Sequence, residues 1–65
     1  MADEWHRYMS EDKEAVVMKD EKGFYVELYE LGKLREVRKV YNHSEWYAED
    51  LAENWVEGII SSPSG

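Results

Sequence analysis

The sharpest pattern in the chain is at Phe24 to Glu30, FYVELYE, where Phe24, Val26 and Leu28 alternate with Tyr25, Glu27 and Tyr29. A period of two is the signature of a strand with two different faces. Ala15 to Lys19, AVVMK, has the β-branched centre of a second strand, and Leu34 to Tyr41, LREVRKVY, reads as a third. Between them, Asp20-Glu21-Lys22-Gly23 offers an Asp to open a turn and a Gly to close a hairpin with a bulge, and Leu31-Gly32 offers a second tight turn. With Leu31 and Gly32 as the loop, Glu30 falls opposite Lys33, Tyr29 opposite Leu34, Leu28 opposite Arg35, Val26 opposite Val37 and Phe24 opposite Lys39. Phe24, Val26, Leu28, Val37 and Tyr41 then share one face. The other face holds Tyr25, Tyr29, Leu34 and Val40, and it sets Glu27 directly against Glu36 with Arg38 beside them.

The period changes at Asn42. From there to Ile60, NHSEWYAEDLAENWVEGII, the apolar positions recur at helical spacing. Tyr47, Ala48, Leu51, Ala52, Trp55, Val56 and Ile59 fall within one half of the wheel, and Glu49, Asp50, Glu53, Asn54 and Glu57 occupy the other. Two start signals compete: Ser44 as N-cap, or Asn42 as N-cap with Glu45 three residues on. Gly58 stands where a glycine stop belongs. The expected core pairs Tyr47, Leu51, Trp55 and Ile59 with Phe24, Val26, Leu28 and Val37.

The ends are less regular. In Met1 to Ser10, MADEWHRYMS, Trp5, Arg7 and Met9 alternate with His6 and Tyr8, which fits a strand, while Trp5, Tyr8 and Met9 also fit one helical turn. This segment is taken as an arm. Ser61 to Gly65, SSPSG, reads as a mobile polar tail. The sequence therefore predicts a single α+β domain over residues 1–60. It is a three-stranded antiparallel meander packed against one C-terminal helix, with the arm as a candidate fourth strand.

Composition changes the picture in two ways. Sixty-five residues bury only roughly 60% of the surface their unfolded chain exposes, and with no cysteine neither a disulfide nor a thiolate zinc site can supplement the core. Oligomerisation is the remaining supplement, and nine aromatics are a large payload for so small an interior. The net charge of −7 is also unevenly spread, since residues 42–65 hold five acids and no base while residues 33–41 hold four bases and one acid. Such a chain repels nucleic acid and anionic membrane at long range and favours a basic partner. With no run of ~20 apolar residues and no leader-like N-terminus, a soluble cytoplasmic protein is expected.

Little here points to catalysis. His43 reads as a residue of the helix N-terminal region, and His6, next but one to Glu4, has no second His at ligand spacing. The four glycines are isolated and form no phosphate loop. No enzyme, metal or cofactor is expected. Trp46 is the exception to the helical pattern, because it lies on the acidic side of the wheel between Glu53 and Glu57. Either it folds back onto the third strand or the arm, or it is an exposed anchor of the kind enriched at interfaces. The candidate partner-binding residues are therefore Trp46, Glu49, Asp50, Glu53 and Glu57 on the helix, with Tyr25 and Tyr29 on the sheet.

The stretch from Lys22 to Gly58, KGFYVELYELGKL followed by SEWYAEDLAENWVEG, resembles small uncharacterised proteins encoded by bacteriophages, notably tailed phages of marine bacteria. That resemblance implies an accessory protein acting in a bacterial host. The element order is also similar to the βββα DNA-binding domains of tyrosine integrases and plant ethylene-response factors, in which the sheet face away from the helix enters the major groove. In this chain Tyr25, Glu27, Tyr29, Glu36 and Arg38 would occupy that face. The leading expectation is a non-enzymatic interaction protein that forms a homodimer or binds a host protein. The alternatives are an acidic inhibitor that mimics nucleic acid toward a DNA- or RNA-binding enzyme, and a divergent integrase-like DNA binder.

Overall fold

A computed structural model describes residues 3–58. Four strands, β1 (Asp3–Ser10), β2 (Lys13–Asp20), β3 (Gly23–Glu30) and β4 (Lys33–Lys39), precede one helix, α1 (Glu45–Val56). The strands form a single antiparallel sheet in the order β1-β2-β3-β4. The arm is thus the fourth strand of the meander. The expectations for Ile59, Ile60 and the tail lie outside the described residues. Among the described residues no helix is long and apolar enough to cross a membrane.

A bulge explains why the arm has no clean period. The β1–β2 register slips between Glu4 and His6, so Trp5 is an extra residue, and its ring meets Phe24 edge-on at 5.4 Å. One inserted residue breaks the alternation. His6 then stacks on Tyr8 on the helix side, while Arg7 and Met9 point to the other side of the sheet.

The β2–β3 hairpin closes on two loop residues with no slip of register, instead of the expected bulge. Asp20 Oδ1 accepts hydrogen bonds from the amides of Lys22 (2.8 Å) and Gly23 (3.2 Å). Gly23 adopts φ +137°, and a Cβ there would lie 2.9 Å from the Tyr41 carbonyl oxygen. At Leu31-Gly32 both residues have positive φ, +54° and +78°, which matches the twist of a two-residue hairpin.

β4 departs from the expected register. Glu30 opposes Lys33 and Tyr29 opposes Leu34 as anticipated, but the register then slips, and Leu28 opposes Glu36, Glu27 opposes Val37 and Val26 opposes Arg38. Arg35 is the extra residue, with its guanidinium 3.5 Å from Glu30. A slip of one exchanges the two faces. Val37 leaves the predicted core, Val40 enters it at 8% exposure, and Glu36 and Arg38 move to the helix side, bonded to each other at 2.9 Å. The slip also separates Glu27 from Glu36, the like-charge pair of the straight register.

Of the two possible caps, Ser44 is the N-cap, extended in backbone and without a side-chain cap bond. Its carbonyl accepts from the amides of Tyr47 and Ala48. Gly58, at φ +81°, donates to the Trp55 carbonyl and ends the helix as expected. Ala48 and Ala52 are fully buried, and their small side chains let the helix lie close to Ala15, Val17, Val26 and Leu28. Leu51, Trp55 and Val56 complete the core, each worth roughly 1.5–3 kcal/mol of burial. Tyr47, predicted to join them, instead faces solvent and stacks on His43 at 3.8 Å. The helix packs on β1, β2 and β3 and does not reach β4.

Candidate interaction surface

Because α1 covers one side of the sheet, the opposite side is a four-stranded face with no described element upon it. Cross-strand pairing arranges this face in three rows. The first runs Glu4, Met18, Tyr25, Lys39 from β1 to β4; the second runs Arg7, Val16, Glu27, Val37; the third runs Met9, Glu14, Tyr29, Leu34. Val16 lies in the middle row, outside the helix-side core, and is only 3% exposed. Its partners in the row are Arg7 and Glu27, and the open apolar residues of this face lie on the two edge strands, Met9 at 71% on β1, Leu34 at 52% and Val37 at 38% on β4.

The charges on this face are largely paired within it. Arg7 donates to Glu4 (2.8 Å) and to Glu14, and its hydrogen bond holds the Glu4 carboxyl below the usual carboxylate range despite some desolvation. Tyr29 donates to Glu27 at 3.2 Å. Burial, then the Glu27 charge, pushes the phenols of Tyr25 and Tyr29 upward, so both remain hydrogen-bond donors at neutral pH. Lys39 is the base of these rows with no acid bonded to it among the described contacts.

The helix presents a second surface on the other side of the molecule. Trp46 does not fold back: it is 80% exposed. Asp50, Glu53 and Glu57 are exposed, and Glu49 is half-buried with an oxygen 3.9 Å from His6 Nδ1. The half-buried Tyr8 phenol on β1 is pushed up first by desolvation and then by the charges of Glu49, Glu53, Asp50 and Glu45. The structure therefore does not gather the predicted residues into one site. Tyr25 and Tyr29 lie on the open sheet face, and Trp46 with Glu49, Asp50, Glu53 and Glu57 lies on the helix.

Val16, Met18, Met9 and Val37 were not anticipated at a surface site. For β2 a signal existed, since Ala15, Val16 and Val17 are consecutive, and a strand whose Ala15 and Val17 face the helix must turn Val16 the other way. For Val37 there was none, because its face depends on the slip at Arg35. Among the described residues no cluster of three or more His, Asp or Glu is placed to hold a metal ion. Comparison with known protein families, curated proteins and solved structures gives no match.

Proposed function

We propose that the protein is a non-enzymatic protein-interaction module whose docking surface is the open face of the sheet. The observation that carries this reading is Val16, buried on the uncovered side, with open Met9 on one edge strand of the face and open Leu34 and Val37 on the other. Apolar residues left open on an uncovered sheet face, here interleaved with polar ones, support a protein–protein site. Tyr25 and Tyr29 add amphipathic rings, a residue type enriched at interfaces. The resemblance to small phage proteins favours an accessory protein that works by binding in a bacterial cytoplasm.

Exposed Trp46 beside Asp50, Glu53 and Glu57 supports a second reading, an acidic inhibitor that occupies the nucleic-acid groove of a basic enzyme. DNA docking on the sheet has less support. Of the two bases in the three rows Arg7 is already held by Glu4 and Glu14, and Glu36 and Arg38 are on the helix side. The two leading readings separate in one binding measurement on the purified chain and its partner. Val37→Lys with Leu34→Lys should reduce association at least tenfold while Trp46→Ala leaves it unchanged. The reverse pattern would support the acidic reading and sink this one.

A further inference from the structure

Resting on the docking reading above, we infer that the occupant of the open face is a second copy of this chain, seated face to face about a two-fold axis that runs along the strands. The edges are poorly suited to self-association. β1 and β4 are the free edges, each carries a bulge, and β4 adds Lys33, Arg35 and Lys39; bulges and charged edges are devices that block strand pairing. The face is large enough. Strands of seven or eight residues at ~3.3 Å per residue, four across at ~4.8 Å, give about 500 Å². Two such faces together reach the ~1,000 Å² that a specific interface requires.

The row pattern then selects the axis. A two-fold along the strands exchanges β1 with β4 and β2 with β3 and keeps each row in place. In the first row it sets Lys39 over Glu4 and Tyr25 over Met18; in the third it sets Leu34 over Met9 and the Tyr29 hydroxyl over Glu14. Each contact occurs twice, as a symmetric interface requires. Lys39, which has no acid bonded to it among the described residues, gains one. In the middle row each Glu27 lies diagonal to both Arg7 and Glu27 of the other copy, so attraction and repulsion offset. A two-fold across the strands would instead stack Arg7 on Arg7 and Glu27 on Glu27. Like charges directly opposed in a closed interface disfavour that arrangement.

The chain has no cysteine, so introduced thiols report positions without background. Glu4 and Lys39 are exposed and lie on opposite edges of one sheet, about 14 Å apart from strand spacing. The experiment mixes Glu4→Cys chains with Lys39→Cys chains, adds a thiol cross-linker of about 10 Å reach, matched to the spacing of packed sheets, and follows wild-type mass by sedimentation at micromolar concentration. The expected result is a wild-type particle of twice the 7.7 kDa chain and a cross-linked product that joins unlike chains several-fold over either variant alone. A wild-type particle of single-chain mass overturns the inference and leaves the docking reading to its own test. Val37→Cys linking to itself more strongly than the mixture links also overturns it, because that is the product of the other axis.

Discussion

Glu45 and Glu49 stand one turn apart on the flank of α1 that overhangs β1. Their mutual hydrogen bond, then desolvation and the Glu49 charge, raise the Glu45 carboxyl above its ordinary value of 4.5, while His6 and Lys19 work in the opposite direction. The folded state thus holds this proton more tightly than the unfolded chain does. Its contribution is present in full below about pH 4.5 and is lost as pH rises through the raised value. Glu4 and Asp20 have the opposite sign. Arg7 lowers the Glu4 carboxyl. At Asp20, desolvation is outweighed by the amides of Lys22 and Gly23 and by the Tyr41 hydroxyl, so both carboxylates favour folding above their ordinary values and lose that as the solution is acidified. The whole-protein profile mixes both signs, and the informative quantity is a difference. Glu49→Gln should return the Glu45 titration toward its ordinary value by NMR, and its thermal midpoint should exceed wild type at pH 7, with the gap closing below pH 4.5. An unmoved Glu45 titration would show that the pair is not coupled.

Among the elements, β4 is the one whose position depends on a single inserted residue. Leu34 opposes Tyr29 and Glu36 opposes Leu28 on either side of Arg35, so deleting Arg35 leaves both registers intact and straightens the strand. The loss would be an exposed ion pair with Glu30, worth about 0–1 kcal/mol. The deletion should therefore change stability by less than about 1 kcal/mol in chemical denaturation, with the amide of Val40, which donates to the Phe24 carbonyl, still protected from hydrogen exchange. If β4 were instead straight, the same deletion would turn every later side chain to the wrong face. It would then expel a core valine at a cost of several kcal/mol.

At the scale of the molecule, one helix covers three strands of a four-stranded sheet and leaves the other side open. A core built from one side only is small, and a chain of this length has little stability to spare. In the proposed dimer, closing two open faces on each other makes unfolding and dissociation one linked event, so stability would depend on protein concentration. The thermal midpoint of the wild type should therefore rise as concentration is increased from micromolar to millimolar. Val37→Lys should abolish that dependence without disturbing the helix-side core, since Val37 lies outside it. A midpoint independent of concentration in both chains would argue for a monomer stable on its own.

Sequence alone determined β2, β3, β4, the helix and their order, and left β1 open between a strand and a helical turn. Alternation marked β3, β-branched runs marked β2 and β4, and Gly23, Leu31-Gly32 and Gly58 marked the turns and the helix stop, because these features rest on local backbone and side-chain preferences. The buried stripe of Ala48, Leu51, Ala52, Trp55 and Val56 was legible for the same reason, as was the exposure of Trp46 as one of two alternatives. Faces of the edge strands were decided elsewhere. Val37 and Val40 are the same residue in the same strand region, and neither has a local preference for the core. The choice between them is made by the bulge at Arg35, which sets Val40 beside Phe24 and parts Glu27 from Glu36. Trp5 decides the faces of β1 in the same way, by packing against Phe24. Both bulges depend on contacts between residues distant in the chain, which only the folded sheet brings together.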